Sequence, residues 1–246
     1  MRRTFIIKKF LFILPAKVIF IFLLIISFVM KADSSMIDCI NIPTAEVVDY
    51  GIGELNVRLY DGGGTISRIV FAPFNRFNFG GSIDVDKMIG KQSPIIRDPQ
   101  FYFKWRIFDG TKNLPALAIG YDGQGYEYDS NEKKYLQPAK GLFLVFTLNI
   151  FTNGFFTDFG INVVKHMEEN KTFGFVGVRY TIEDVLTLIT EYENFGNNDL
   201  HKVNAGFRVA LAEYLNLDLS FKNLAPQKVG IEIDRQVRIS YQYKFF

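Results

Sequence analysis

The clearest alternation of hydrophobic and polar positions lies at the C-terminal end of the chain, over Gln236–Phe246. Every second residue there is β-branched or aromatic, the residues between them are polar, and no Gly or Pro interrupts the series. The apolar positions are Val237, Ile239, Tyr241, Tyr243 and Phe245, and the polar positions are Arg238, Ser240, Gln242 and Lys244. A period of two in such residues predicts a β-strand with one apolar and one polar face.

The same alternation recurs from residue 53 onward, most plainly over Glu54–Tyr60, Phe101–Ile107 and Leu215–Lys222. The whole series predicts about twelve strands, an even number within the range that bacterial membrane barrels use. The expected fold class is therefore all-β. We expect a single closed, antiparallel, up-and-down transmembrane β-barrel over residues 53–246.

The predicted connections are short at one end of the strands and longer at the other, except for the tight turn Asp61–Gly64. The short ones are Pro73–Arg76, Asp109–Asn113, Ile150–Gly154, Thr181–Asp184 and Leu211–Glu213. The longer ones are Asp86–Asp98, Asp122–Lys140, Lys165–Lys171, Asn194–His201 and Leu224–Arg235. Membrane barrels have short periplasmic turns and longer outer loops, so this pattern favours a membrane barrel.

Alternation alone does not decide which face of the strands points inward. In a membrane the apolar faces meet lipid, and the sheet must close because every backbone polar group needs a partner. A soluble or periplasmic lipocalin-like barrel that binds a small apolar ligand has the same two-faced strands with the apolar face inside. That architecture is the alternative to the membrane barrel.

The polar faces of a membrane barrel line its lumen. The predicted lumen-lining residues are Arg58, Asp84, Lys104, Arg106, Asp158, Glu191, Arg208, Asp218, Lys222, Arg238 and Lys244. Because both signs of charge occur, this set does not predict strong ion selectivity. Two interpretations remain open: a salt-bridge network that plugs a narrow barrel, and a polar conduit that acts as a passive pore for small solutes.

The N-terminal residues resemble an export signal. Basic residues precede the apolar run Val18–Met30, which has the length of a signal-peptide core and is short for a membrane span. We expect a signal peptide over residues 1–34. An extended periplasmic lead-in is predicted over residues 35–52, because Pro43 has no N–H to donate to a β-ladder.

Composition and motifs give little support to catalysis. The net charge is +2, which suggests no nucleic-acid partner, and the one cysteine, Cys39, cannot form an internal disulfide. Neither His166 nor His201 accompanies a nucleophile motif, and the Glu191–Glu193 pair is explained by charge pairing on a polar face. We expect a non-enzymatic protein with no cofactor and no metal site.

The final strand resembles the C-terminal signature of bacterial outer-membrane barrels, in which the last strand pairs with the first. Its residues are Val237, Ile239, Tyr241, Tyr243, Phe245 and Phe246, with Phe246 out of phase with the apolar series. The resemblance implies outer-membrane localisation, contact with outer-membrane lipid, and recognition of this strand by the barrel-assembly machinery.

Three short segments are similar to the YjbH-like outer-membrane barrels. They are Ile40–Ala45 before the first strand, Leu114–Asp122, and Phe221–Leu224 followed by the basic strand from Arg235. The resemblance implies an outer-membrane barrel linked to exopolysaccharide export or surface organisation, with polysaccharide as a partner. It supplies no catalytic residues. Some members are lipoproteins, but Asp38 directly before Cys39 is unfavourable for lipidation.

Overall fold

The computed structural model describes residues 35–129, 134–137, 140–150, 154–166, 169–195, 201–225 and 233–245. The predicted signal peptide, residues 1–34, and the terminal Phe246 lie outside the described residues. No helix within the described ranges is long and apolar enough to span a membrane.

The strands follow one another along the chain with mostly short connections. The first eight are β1 (Ile52–Tyr60), β2 (Gly64–Phe74), β3 (Phe77–Asp86), β4 (Ile95–Ile96), β5 (Gln100–Phe108), β6 (Ala116–Asp122), β7 (Tyr126–Asp129) and β8 (Lys134–Gln137). The remaining seven are β9 (Gly141–Asn149), β10 (Phe155–His166), β11 (Glu169–Ile182), β12 (Leu186–Phe195), β13 (Lys202–Ala212), β14 (Leu215–Lys222) and β15 (Asp234–Lys244).

Thirteen strands share one sheet, and without the two-residue β4 its wall has twelve. Neighbouring wall strands are antiparallel, and the sheet closes because β15 pairs with β1 while β2 pairs with both β1 and β3. Leu55 lies opposite Tyr241 across the closing ladder, and Val57 lies opposite Ile239. The predicted closed antiparallel barrel of twelve strands is confirmed.

The barrel has two different rims. The short-turn rim carries the β2–β3, β5–β6, β9–β10, β11–β12 and β13–β14 connections, and the long-loop rim carries the others. The tight turn Asp61–Gly63 lies on the long-loop rim, where Gly62 and Gly63 have φ of 79° and 78°. The long loop predicted over residues 165–171 is wrong, because the ladder of β10 and β11 continues to His166 and Glu169.

The apolar faces of the wall strands point outward and the polar faces point inward. On β15, Ile239 and Tyr241 are 47% and 48% exposed, whereas Arg238 and Gln242 are 4% and 3% exposed. The same orientation exposes other large apolar side chains on the outer surface, including Ile69, Phe79, Trp105, Leu142, Ile161 and Leu188. This orientation is opposite to that of a lipocalin-like barrel.

Residues 35–48 form a hairpin inside the barrel, called the plug below. The Cys39 N–H donates to the Ile42 carbonyl at 3.0 Å, and the Thr44 N–H donates to the Ile37 carbonyl at 3.2 Å. The prediction of a periplasmic lead-in over residues 35–52 is therefore wrong for residues 35–48. These residues form the plug, which lies within the lumen.

The plug is buried because its apolar residues pack on inward-facing apolar residues of the wall. Met36, Cys39, Ile40, Ile42 and Ala45 form one cluster with Ala116, Ala118, Phe143, Val145, Phe175 and Ile189. Burial of each large apolar side chain contributes about 1.5–3 kcal/mol. Gly177 makes room for this packing, since a Cβ there would lie 2.5 Å from Cδ1 of Ile42.

Candidate functional site: the occupied lumen

Three backbone N–H groups at the tip of the plug meet one carboxylate of the wall. Glu191 accepts the backbone N–H groups of Ile40 at 3.1 Å, Asn41 at 2.9 Å and Ile42 at 3.2 Å. Asn204 of β13 donates its side-chain amide to the same carboxylate at 2.8 Å. Converging backbone N–H groups form a concave anion site, and here the anion belongs to the barrel wall.

The Asn41 side chain extends this contact to two further wall residues. Its amide donates to Glu193 at 2.8 Å, and its oxygen accepts a hydrogen bond from Arg58 at 3.1 Å. Arg58 also donates to the carbonyl of Ile40 at 2.8 Å. The tip therefore has both its donors and its acceptors satisfied, as burial of polar groups requires.

Asp38 of the plug is the centre of a buried ion network. Arg68 of β2 contacts Asp38 at 2.9 Å and Asp122 at 2.7 Å, and Lys140 contacts the same two carboxylates at 3.4 and 3.5 Å. Burial by itself raises the pKa of Asp38, but the positive charges of Lys140, Arg68 and Lys104 outweigh it and hold that pKa well below its usual range.

A second network connects the other arm of the plug to β10 and β11. Arg179 donates to Asp158 and to Glu46, both at 2.7 Å. Thr147 accepts the Ala45 N–H at 2.8 Å and donates to Asp158 at 2.5 Å. Burial opposes ionisation of Glu46, but Arg179 lowers the pKa of this carboxyl below its ordinary value.

The thiol of Cys39 lies against this second network. Its side chain is 0% exposed, and the thiol contacts Asp158 at 3.6 Å. Burial first, and the Asp158 charge next, raise the pKa of the thiol well above its ordinary value. Acyl chains attached to a cysteine in this position would be enclosed by the wall instead of reaching lipid.

Other wall residues bind backbone atoms of the plug. Lys104 donates to the carbonyls of Ile37 and Glu46, and Arg238 donates to the carbonyl of Cys39 at 2.5 Å. Both ends of the plug lie towards the short-turn rim. Asn78 there accepts the Val48 N–H at 3.0 Å, and Gln242 donates to the Ser35 carbonyl at 3.0 Å.

Most of the predicted lumen-lining residues are buried on the inner side of the wall. They are Arg58, Asp84, Lys104, Asp158, Glu191, Arg208, Asp218, Lys222 and Arg238. Arg208 forms a two-bond contact with Asp218 at 2.7 and 2.9 Å, and Arg238 bonds the same carboxylate. Arg106 donates to the Asp109 carbonyl at 3.0 Å and lines the recess next to Val47 and Val48 at the short-turn rim. Lys244 is corrected, because it is exposed where β15 ends.

Several buried residues of the lumen are missing from the predicted lumen-lining set. Arg68, Asp122, Lys140, Arg179 and Asn204 all belong to the lumen networks. Strand β2 is apolar at most positions, which hides the inward phase of its one arginine. The sequence of residues 35–48 did carry one signal. These residues are largely apolar but lack the alternation of a strand, which indicates that they are buried against other parts of the chain.

The long-loop rim is covered by the β7–β8 hairpin. Tyr126 is 4% exposed and packs with Tyr60 and Ile66. The guanidinium of Arg58 lies 4.7 Å from the centre of the Tyr126 ring, and the Lys222 ammonium lies 5.4 Å from it. Such cation–π contacts hold the ring over the charged lumen. The predicted Asp122–Lys140 loop thus supplies a second cover.

Space remains beside the plug at the short-turn rim. A cavity of about 190 Å³ is lined by Met36, Glu46, Arg179 and Arg208, among others, and a wider recess of about 550 Å³ lies next to Val47 and Val48. Within the described ranges, no cluster of His, Cys, Asp or Glu has the arrangement needed to hold a metal ion.

No family model matches the sequence, and no curated protein matches it either. Among solved structures, one chain from work on in-meso crystallisation of membrane proteins is 12% identical, with a TM-score of 0.43, and the match covers 79% of this chain and 84% of that one. OmpF of Salmonella typhi, in complex with daunomycin, is 9% identical, with a TM-score of 0.33 and coverage of 78% and 96%.

The outer membrane channel DcaP of Acinetobacter baumannii is 10% identical, with a TM-score of 0.30, and the match covers 87% of this chain and 100% of that one. All three similarities are distant. What the structure itself establishes is a closed barrel with an apolar outer surface and a charged lumen that its own hairpin occupies.

Proposed function

We propose that this protein is an integral bacterial outer-membrane β-barrel that acts as a channel closed by the plug. The observation that carries the proposal is the orientation of the strands. Large apolar side chains such as Trp105 and Ile161 are 52% and 50% exposed, while Lys104 and Asp158, also on wall strands, are fully buried. Exposure of this apolar surface to water costs about 25 cal/mol of free energy for each Å². Lipid tails that cover the surface remove this cost.

The closed state is supported by how the plug is bound. Its apolar residues pack on the wall and its polar groups meet wall partners, so withdrawal breaks many contacts together. A wall built only as a passive pore for small solutes needs none of these contacts. We therefore infer a lumen that conducts only after the plug moves.

Membrane insertion is tested by fractionation of cells that express the full chain. We expect the protein in the outer-membrane fraction, extracted only by detergent and migrating faster on gels before heating than after it. Extraction by buffer or high salt alone would favour the soluble lipocalin-like alternative and overturn the membrane assignment.

Channel activity is tested in planar bilayers with the full chain and a plug-displacing variant. Gly177→Leu places a side chain where Ile42 packs, so we expect rare openings for the native chain and frequent openings for the variant. Gly177→Ala adds only one methyl group opposite the flexible end of Ile42 and should stay closed. The channel proposal fails if Gly177→Leu exposes the Cys39 thiol to reagents without producing current.

Support of exopolysaccharide export or surface organisation is the finer function that the YjbH-like resemblance implies. Three short segments support it, and the plug would have to leave the lumen before a polymer could pass. Loss of surface polysaccharide in a strain without this protein, restored by the native chain, would support that role. We also infer that the protein is not an enzyme, since Glu191 and Glu193 are engaged with the plug.

We further propose that the partners are outer-membrane lipid and the barrel-assembly machinery, the latter through β15. The closing ladder between β15 and β1 supports this role for the last strand. Nothing in the charge balance of +2 favours a nucleic-acid partner.

A further inference from the structure

The wall binds the plug largely through cations that contact oxygen atoms. Arg68 and Lys140 contact the carboxylate of Asp38, and Lys104 contacts the carbonyls of Ile37 and Glu46. These three cations belong to one side of the barrel, on β2, on β5 and directly before β9. To this side of the lumen, the plug presents a carboxylate flanked by carbonyl oxygens.

Withdrawal of the plug would leave this side of the lumen with excess positive charge. Arg68 and Lys140 would keep Asp122 but lose Asp38, and both hydrogen bonds described for Lys104 go to the plug. Three positive charges would then face one carboxylate, a local charge of +2. In the open, hydrated lumen, a cluster of one sign of charge lined by the protein wall concentrates anions at this place.

We propose that Arg68, Lys104 and Lys140 form a binding site for carboxylate-bearing solutes once the plug has left, with Asp38 occupying that site in the closed state. The inference rests on the proposed channel function. An arginine fork pairs with a carboxylate through two hydrogen bonds, and lysine ammonium groups add point charges around it. In the closed state Arg68 gives one hydrogen bond to Asp38 and one to Asp122, and the Lys140 ammonium contacts Asp38 at 3.4 Å.

The test uses the full chain with Gly177→Leu and Asp38→Asn, which displace the plug and remove its competing carboxylate. Succinate binding is measured by titration calorimetry in detergent, and succinate block of the current is measured in planar bilayers. We expect binding and block. Adding Arg68→Gln and Lys140→Gln should weaken both by about tenfold or more.

Lys112→Gln, at an exposed position in a turn of the short-turn rim, is the matched control and should leave succinate binding unchanged. Binding that survives Arg68→Gln with Lys140→Gln, or no succinate binding although Cys39 has become reactive, overturns the site. Failure of the channel proposal gives a different result from failure of the anion site. The current is then absent, while calorimetry still detects succinate binding.

Discussion

Glu191 accepts the backbone N–H of Asn41 at 2.9 Å, joining β12 to the tip of a hairpin that lies 150 positions earlier in the chain. The N–H groups of Ile40 and Ile42 reach the same carboxylate. One wall carboxylate therefore binds all three backbone N–H groups of the turn of the plug. Because the only cysteine of the chain lies beside this turn, its thiol reports on whether the plug is in place.

Glu191→Gln should loosen the plug. The amide of glutamine offers one acceptor oxygen where the carboxylate offers two, and the weakened hydrogen bonds should cost about 1–3 kcal/mol. We expect a maleimide to label Cys39 slowly in the native folded protein and several-fold faster in Glu191→Gln. Glu183→Gln changes an exposed residue of a short-rim turn and is the control expected to label at the native rate. Equal rates in all three proteins would contradict the anchoring role of Glu191.

Protonation of Asp38 and Glu46 should weaken the binding of the plug only at low pH. Asp38 and Glu46 have folded-state pKa values below their ordinary values of 3.8 and 4.5, so their ionised forms stabilise the closed state. This stabilisation is present in full above those ordinary values and is lost as the pH falls through the lowered values.

The measurement is the reaction of Cys39 with a dithiodipyridine, a reagent that reacts with thiols in acid. The part of the protection that Asp38 and Glu46 supply is the difference between the native protein and Asp38→Asn with Glu46→Gln. This difference should be constant down to about pH 5 and should disappear only below the ordinary carboxyl range. A loss of protection centred between pH 6 and 7 would exclude these two carboxyls as its cause.

Ile239→Arg should destabilise the barrel in a bilayer. Ile239 lies in the middle of β15 on the outer face, and an arginine facing lipid near the bilayer midplane costs about 2–4 kcal/mol. Reversible urea unfolding in lipid vesicles measures this cost. Tyr50→Arg, on an exposed residue at the short-turn rim, is the control and should cost about 0–1 kcal/mol. If Ile239→Arg were as stable as the native chain, lipid would not surround this face.

Asp158→Cys should allow the plug to be locked in place. The Cys39 thiol lies 3.6 Å from a carboxylate oxygen of Asp158, so a second thiol there comes within reach of a disulfide with a small adjustment of side chains. Combined with Gly177→Leu, the oxidised protein should stay closed in planar bilayers and open after a reductant is added.

The control protein carries Asp158→Cys and Gly177→Leu together with Cys39→Ser. It cannot form the disulfide and should conduct with or without reductant. This control also accounts for the lost contact between Asp158 and Arg179. Current through the oxidised, fully cross-linked protein would show that conduction does not need the plug to leave.

The alternation of β15 and the connection lengths were enough to predict strands, antiparallel order and closure. These properties are local, because a period of two depends on neighbouring residues and a hairpin on the residues of its turn. The same alternation was less reliable at the rims, where Lys244 continues the polar series of β15 but is exposed at its end.

Sequence by itself therefore determined the two-faced strands and their closure into a barrel of about twelve strands. Tertiary structure decided what fills the lumen and which cations meet there. Arg238 and Cys39 are 199 positions apart, and Asp38 meets Lys140 across 102 positions. Contacts over such separations depend on how the closed wall brings distant strands around one volume, and no local period in the chain encodes them.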